Sequence, residues 1–175
     1  DAYLLRGLGY LNKQQYPQAL KDLEAALEFP IGLRGRSRKA QLYYYHGLIL
    51  EKSGNQPAAM SRYEKALEIE LSERSRENLH LYYQGLAQAK LGNQDEAEQL
   101  FNSLLSQTQN QNNSTFFTQF GRGDRNQRLA ENHYLTGLAQ LGLGNTSEAI
   151  SAFKKSLEFD PDHVWSKYHL QMAKN

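Results

Sequence analysis

The side chains able to do chemistry are few in this sequence, and their spacing does not assemble a catalytic or metal site. Its five histidines include no pair four residues apart, the spacing that places two imidazoles of one helix on a single metal ion. Cysteine is absent, which excludes thiol catalysis, disulfides and cysteine-bound zinc. No phosphate-binding glycine loop and no GxSxG nucleophile motif occurs either. We therefore expect no catalytic residue, no metal and no cofactor, and interpret the histidines as surface or groove-edge residues: His46, His80, His133, His163 and His169.

The charges are nearly balanced, so no overall field favours nucleic acid or a membrane surface. Lysine and arginine number 20 against 19 acidic residues, a net charge of +1. One local cluster is basic, with Arg34, Arg36, Arg38 and Lys39 close together in the chain. We interpret it as a solvated loop leading into a helix, and contact with a phosphate or an acidic peptide is the alternative. The tripeptide Arg122-Gly123-Asp124 has the integrin-binding sequence, a match that is common by chance.

Sequence features that address a protein to a membrane or a compartment are missing from this chain. No apolar run reaches the roughly 20 residues of a membrane span, and no signal peptide is visible. The compartment therefore stays open between cytoplasm and periplasm. The chain begins at Asp1 directly in an apolar, helix-like segment, from which we expect the rest of a longer protein to be missing.

A pattern that occurs four times organises the rest of the chain. A glycine is followed by alanine after 12 residues, by an aromatic residue or leucine after 16, and by leucine after 20. Fixed offsets that recur in this way are typical of stacked-repeat architectures. The glycines are Gly7, Gly47, Gly85 and Gly137, the alanines Ala19, Ala59, Ala97 and Ala149, and the residues at the third position Leu23, Tyr63, Phe101 and Phe153.

Around these positions, apolar residues recur at steps of three and four, as amphipathic helices require. No segment alternates polar and apolar residues for long enough to predict a strand, so the predicted fold class is all-α. Gly54, Gly92 and Gly144 suit the left-handed residue that ends a helix. Asn93 and Asn145, each followed three residues later by Glu, predict capping boxes. The predicted helices lie near 2–14, 16–29, 37–53, 55–70, 73–91, 93–107, 126–143, 145–158 and 161–173.

These residues resemble the tetratricopeptide repeat, a helix–turn–helix unit of about 34 residues. The fourth copy fits best, with Gly137, Ala149, Phe153 and Pro161 all in place, whereas no copy has Trp four residues before the glycine. The resemblance implies one domain, 1–175, folded as a right-handed solenoid whose first helices line a concave groove. It places repeats near 1–31, 40–71, 78–109 and 130–161, and a C-terminal capping helix at 161–173.

The longest interval between two of the repeated glycines places an insert at 107–125. Its first part, 107–113, is rich in Gln and Asn and predicts a flexible linker. Phe116, Phe117 and Phe120 do not suit a solvated loop, because three exposed rings would form an adhesive patch. We predict that they dock on neighbouring helices, with contact to a partner as the alternative.

The resemblance also predicts which residues would face a ligand. First helices line the groove, and tyrosine and leucine recur three residues before and one residue after each glycine, a composition favoured at binding hot spots. Part of this set must pack between repeats. The positions that clamp chaperone tails in some family members hold mostly apolar and aromatic residues here, so we expect apolar and aromatic contacts rather than carboxylate capture. The predicted peptide-binding residues are Tyr44, Leu48, Tyr82, Leu86, Tyr134 and Leu138.

The sequence therefore predicts a non-enzymatic scaffold that binds a protein or peptide partner through the concave face. The alternative is an accessory repeat region of a larger carbohydrate-related or other bacterial enzyme. It is based on similarity of three segments to repeat regions that follow large β-rich domains in some bacterial proteins: the opening segment, 3–10, the Phe-rich insert, and the ending Asp-Pro-Asp-His at 160–163.

Overall fold

The computed structural model describes residues 2–28, 37–70, 78–113 and 122–174. Within these ranges the backbone forms helices and no strand, which confirms the all-α fold class. The helices are α1 (Ala2–Asn12), α2 (Tyr16–Glu28), α3 (Ser37–Lys52), α4 (Gln56–Leu67), α5 (Leu79–Lys90), α6 (Gln94–Asn113), α7 (Arg122–Gly142), α8 (Thr146–Phe159) and α9 (Val164–Lys174).

The predicted flexible linker at 107–113 is wrong, because α6 continues to Asn113. Thr108 is fully buried, and its hydroxyl donates a hydrogen bond of 2.8 Å to the carbonyl of Leu105. The Thr108 carbonyl in turn accepts a hydrogen bond of 3.1 Å from the Asn132 side chain on α7. Burial of one polar residue and a high helix propensity of glutamine therefore extend the helix through a segment whose composition resembles a linker. The three insert phenylalanines, Phe116, Phe117 and Phe120, lie outside the described residues.

The residues up to Ala97 form one compact unit and those from Glu98 form another. In unit 1, α1 packs on α2 and α3 on α4, and α3 also contacts α2 and α5. In unit 2, α7 packs on α8, and α9 covers both of them. Each unit is thus built from helix pairs stacked side by side, the arrangement of an α solenoid.

The repeated glycines sit where two helices of a pair approach most closely. A Cβ atom added to Gly47 would lie 2.7 Å from Cε1 of Tyr63, the residue sixteen positions later. Gly7 faces Leu23 and Gly137 faces Phe153 in the same way. The alanines of the repeat are at most 1% exposed: Ala19, Ala59, Ala97 and Ala149. Helix pairing therefore follows the offsets read from the sequence.

The turns between paired helices also follow the repeat, with one exception. Gly54, Gly92 and Gly144 have φ of 90°, 90° and 80°, the left-handed conformation predicted for them. In the first repeat the same position holds Gln14, at φ 59°. A residue with a Cβ is strained in this conformation, so the first turn is less favourable than the other three.

The capping box predicted at Asn145 is wrong. Asn145 is the N-cap residue of α8, but its side chain makes no cap hydrogen bond. Its amide instead donates 2.8 Å to Oε1 of Gln140, five residues earlier. Asn93 makes the same bond, 2.7 Å, to Gln88. The residue five positions before Asn55 is a leucine, not a glutamine. The side chain of Asn55 instead accepts a hydrogen bond from the amide of Ala58, as an N-cap residue should.

One buried side chain joins two successive repeats in unit 1. Nε2 of Gln84, on α5, lies 3.2, 3.2 and 2.9 Å from the carbonyl oxygens of Ala66, Leu67 and Ile69 at the end of α4. The last carbonyls of a helix lack partners within the helix. Gln84 therefore caps α4 from the neighbouring repeat.

Candidate functional site

The tyrosines predicted to bind a ligand in unit 1 form a buried aromatic layer. The ring of Tyr44 lies 5.8 Å from those of Tyr63 and Tyr83, and Tyr82 meets Tyr83 edge-on at 5.1 Å. Tyr44 is 8% exposed and Tyr82 is 4% exposed. Tilted and edge-on aromatic pairs at such distances stabilise a fixed arrangement of rings. These two tyrosines are therefore part of the core of unit 1, and little of their own area is open to a ligand.

Two of the leucines that follow the repeated glycines are more accessible than Tyr44 and Tyr82. Leu48 on α3 and Leu86 on α5 are half-buried, and their two helices pack on each other. They occupy the same position in successive repeats, so one lies one repeat step from the other. We call Leu48 and Leu86 the leucine pair.

A polar network lies one helical turn beyond Leu48 and Leu86. Nζ of Lys90 on α5 donates 2.8 Å to Oε1 of Glu51 on α3, and the hydroxyl of Tyr63 donates 2.5 Å to Oε2 of the same carboxylate. Burial opposes ionisation of Glu51, but the hydrogen bonds from Lys90 and Tyr63 outweigh it and lower the pKa of this carboxyl group. Burial, followed by the bond to Glu51, raises the pKa of Tyr63. The network therefore holds a charged carboxylate and ammonium between two repeats.

Sequence reasoning missed Glu51, Lys90 and Tyr63 as one group. The signal available was weak. Glu51 and Lys90 come four and five residues after a repeated glycine, which places them a turn from the leucine pair. Nothing in the sequence links a glutamate to a lysine in the next repeat.

In unit 2 the corresponding residues are covered. Tyr134 is 2% exposed and Leu138 is fully buried. The ring of Tyr134 lies 4.9 Å from that of His163 and 5.6 Å from that of His169, at the start of α9 and on it. A ligand therefore cannot reach Tyr134 while α9 stays in place.

Two histidines predicted to lie at the surface or at a groove edge are buried instead. His46 and His169 are 2% and 1% exposed. Burial, reinforced by the charge of Arg62, lowers the pKa of His46 to about 4, and burial lowers that of His169 to about 4. Both are neutral at pH 7. Across the described ranges, no three His, Asp or Glu side chains are grouped so that they could hold a metal ion.

One set of residues in unit 2 has the types of a catalytic triad. Oγ of Ser166 lies 2.8 Å from Nδ1 of His163, whose Nε2 lies 3.1 Å from Oε2 of Glu131. A nucleophilic serine must expose its hydroxyl to a substrate. Ser166 is fully buried and its hydroxyl contacts that of Ser156 at 2.7 Å. The set therefore anchors α9 and offers no nucleophile to a substrate.

No helix among the described residues is both long and apolar enough to cross a membrane. The candidate site in unit 1 consists of two half-buried leucines, buried tyrosines one helical turn before them and one ion pair one turn after them. These are groups that bind by shape, apolar contact and hydrogen bonding.

Comparisons with known proteins agree with the repeat pattern. Models of the tetratricopeptide repeat match residues 4–73, 81–107 and 130–163. No curated protein matches the chain. Solved structures that are similar include a MamA RS-1 ArsTM double mutant, 18% identical with a TM-score of 0.37, and MamA 41-end from Desulfovibrio magneticus RS-1, 19% identical with a TM-score of 0.34. Each comparison covers 99% of this chain and 82% of the other. Because tetratricopeptide repeat models match these three segments, this protein belongs to the tetratricopeptide repeat family.

Proposed function

We propose that this chain is a scaffold that binds an extended peptide of a partner protein along its first helices, with Leu48 and Leu86 as the central contacts in unit 1. Tetratricopeptide repeats support a role in protein interaction in general. The observation that carries the more specific proposal is the leucine pair: two half-buried apolar side chains at equal positions of adjacent repeats, each one helical turn after a buried tyrosine.

The tyrosine layer makes such a surface suitable for binding. Tyr44 and Tyr82, one helical turn before the two leucines, are already fixed by ring contacts, so these rings lose little further side-chain entropy when a ligand binds. Burying the remaining area of each leucine contributes roughly 25 cal/mol per Å². A peptide with apolar side chains spaced to reach both leucines would gain from both contacts.

The ion pair at the edge determines which polar groups the peptide should carry. Both carboxylate oxygens of Glu51 already accept hydrogen bonds. Lys90 has three N–H donors, of which Glu51 takes one. A ligand group near this pair should therefore be an acceptor, such as a backbone carbonyl or a carboxylate.

Tyr134 and Leu138, which are also predicted to contact a ligand, are a separate case in this proposal. Both are buried in unit 2, and Tyr134 faces α9. We propose that these two residues of unit 2 become accessible to a ligand only when α9 moves. No feature in the described part of the chain favours the alternative function, an accessory region of a larger enzyme.

Peptide selection followed by matched variants tests the leucine pair. A peptide selected from a display library on the full chain is titrated by calorimetry against the wild type, Leu48→Asp, Leu86→Asp and Met60→Asp. Met60 serves as the control: it is 43% exposed on α4, the second helix of its repeat, away from the first helices that the peptide is proposed to contact. We expect each leucine variant to bind at least about tenfold more weakly, a loss of about 1.4 kcal/mol, and Met60→Asp to bind as the wild type. Equal affinity in all four folded proteins would contradict the proposal.

Replacing the tyrosines would be a poorer test. Tyr44, Tyr82 and Tyr134 are buried, and truncation of a buried aromatic ring costs roughly 3–5 kcal/mol of stability. Lost binding in a Tyr→Ala variant would then report unfolding as readily as a lost contact. The aspartate variants change side chains that are already partly in water.

A further inference from the structure

Two histidines hold the last helix of unit 2 against Tyr134. His163 directly precedes α9 and His169 lies on it, and their rings lie 4.9 and 5.6 Å from the ring of Tyr134. His169 also stacks on Phe153 at 6.0 Å and lies 6.2 Å from Trp165. The side of α9 that faces α7 and α8 therefore combines aromatic packing with two titratable imidazoles.

The hydrogen bonds of His163 require its neutral form with the proton on one particular nitrogen. Nδ1 accepts a hydrogen bond of 3.1 Å from the backbone amide of Ser166, so this nitrogen carries no proton. Nε2 lies 3.1 Å from Oε2 of Glu131 and donates to it. His163 thus satisfies a free amide in the first turn of α9, the role of an N-cap side chain. A second proton, on Nδ1, would remove that acceptor.

His169 is also built into the protein as a neutral group. Its Nδ1 donates 2.9 Å to the carbonyl of Trp165, one turn earlier in α9. The ring is 1% exposed and surrounded by aromatic side chains. Protonation of His169 would place a positive charge in apolar surroundings, away from water. This is costly unless the imidazole moves out into solvent.

The charged groups around the two histidines do not remove this cost. From α7, Glu131 faces Nε2 of His163 and attracts a protonated ring, but it cannot replace the lost cap at Nδ1. From α8, the neutral hydroxyl of Ser156 contacts that of Ser166, which in turn contacts Nδ1 of His163. On the α9 side, Lys167 is paired with Asp162 at 3.3 Å. His163 and His169 repel each other when charged, so each proton makes the second one harder to hold.

We propose that α9 is an acid-released cover: protonation of His163 and His169 detaches it from α7 and α8 and exposes Tyr134. The release depends only on the contacts of α9. Its use in binding, where Tyr134 would become available to a ligand, rests on the proposed function. The two can fail separately, because the release can be measured without any ligand.

Trp165 is the single tryptophan of the chain and reports directly on α9. It is 6% exposed on that helix. The experiment follows Trp165 emission and acrylamide quenching from pH 7 to pH 4, with far-UV circular dichroism of the same samples. We expect Trp165 to become quenchable between pH 6.5, the ordinary histidine pKa, and about 4, the value to which burial lowers the pKa of His169. Most of the helical signal should persist through this change.

Matched variants separate the two histidines from other acid effects. The double variant His163→Asn, His169→Phe keeps a cap side chain and an aromatic ring but cannot titrate, so Trp165 should stay protected over the same interval. His46→Gln removes the buried histidine of unit 1 and should leave the Trp165 transition unchanged. An NMR titration of the imidazole protons in the wild type shows whether the transition follows His163 and His169.

Three results would overturn the proposal. The first is a Trp165 transition in the folded double variant with the wild-type midpoint. The second is continued protection of Trp165 in the wild type at pH 4. The third is loss of the whole helical signal together with Trp165 protection. If the double variant is unfolded at pH 7, the NMR titration decides: a Trp165 transition that does not follow either imidazole contradicts the mechanism.

Discussion

The hydroxyl of Tyr63 donates a 2.5 Å hydrogen bond to Oε2 of Glu51, joining the two helices of the second repeat beside the leucine pair. The other oxygen of Glu51 accepts from Lys90 of the third repeat. One carboxylate therefore holds together three helices of unit 1, at the border of the surface that we propose for binding.

Removal of the Tyr63 hydroxyl should destabilise the protein. In Tyr63→Phe we expect the free energy of unfolding at pH 7 to fall by roughly 1.5–3 kcal/mol, the usual range for a hydrogen bond to a charged group. Because this bond helps to lower the pKa of Glu51, its contribution is present above the ordinary glutamate pKa and is lost as the pH falls through the lowered one. Urea denaturation at pH 7 and below pH 4 measures both effects. Tyr43→Phe, on the same helix pair but half-buried, is the control and should change stability by less than about 0.5 kcal/mol.

The close approach at Gly47 should not tolerate a methyl group. Its Cβ would lie 2.7 and 2.8 Å from two ring atoms of Tyr63, so Gly47→Ala must displace a buried tyrosine. We expect a loss of roughly 1–3 kcal/mol in the free energy of unfolding. Gly9, in the middle of α1, has no atom within 4 Å of the same position. Gly9→Ala should therefore raise stability by roughly 0.5–1 kcal/mol. Loss of stability in both variants to the same extent would refute the packing explanation.

The first turn should become more stable when it is given the glycine that the other turns have. Gln14 adopts φ 59°, which costs roughly 1–2 kcal/mol for a residue with a Cβ, and glycine avoids the cost at some loss of unfolded-chain entropy. We expect Gln14→Gly to raise the free energy of unfolding by roughly 0.5–1 kcal/mol, measured by thermal or urea denaturation. Gly144→Ala, the reverse change at φ 80°, should lower it. Destabilisation by Gln14→Gly would show that its side chain makes a contact that outweighs the strain.

His46 should make unit 1 sensitive to acid. The pKa of His46 is lowered to about 4, mainly by burial, so the unfolded chain binds a proton near pH 6.5 that the folded chain does not. Stability is therefore complete above pH 6.5 and falls as the pH drops towards 4. In His46→Gln we expect the difference between unfolding free energies at pH 7 and pH 4.5 to shrink, by on the order of 1 kcal/mol. His80→Gln, a half-buried position, is the control. An unchanged pH dependence in His46→Gln would mean that this imidazole does not stay neutral in the folded state.

The sequence predicts the repeat register well because the register depends on size at fixed offsets. Glycine opposite Tyr63 or Phe153 leaves a clear pattern, since only a missing side chain fits there. How deeply each side chain is buried is harder to predict. Tyr44 and Leu48 lie four residues apart on one helix, yet the tyrosine is buried and the leucine is half-buried. Periodicity shows the shared face and leaves open how far a neighbouring helix covers it.

Contacts between repeats escape sequence reasoning for a different reason. The bond between Lys90 and Glu51 joins residues far apart in the chain, and both residue types are ordinary on a helix surface. The continuation of α6 through 107–113 depends on Thr108 being buried against α7, where Asn132 binds its carbonyl. Composition describes which local structure a segment prefers. It does not reveal the tertiary contact that overrides this preference.

The cap that Gln84 places on α4 bears on how cooperatively unit 1 opens. In a stacked-repeat protein, the contacts between neighbours determine whether repeats open together or one at a time. Gln84 binds three carbonyls of the preceding repeat, whereas His46, at the same position one repeat earlier, has no hydrogen-bond partner for either ring nitrogen within the described ranges. The junction between the first and second repeats is thus the weaker of the two. Amide hydrogens of α1 and α2 should accordingly exchange through smaller, more frequent openings than those of α4 and α5, and the first repeat would be the part of unit 1 that yields first under mechanical load.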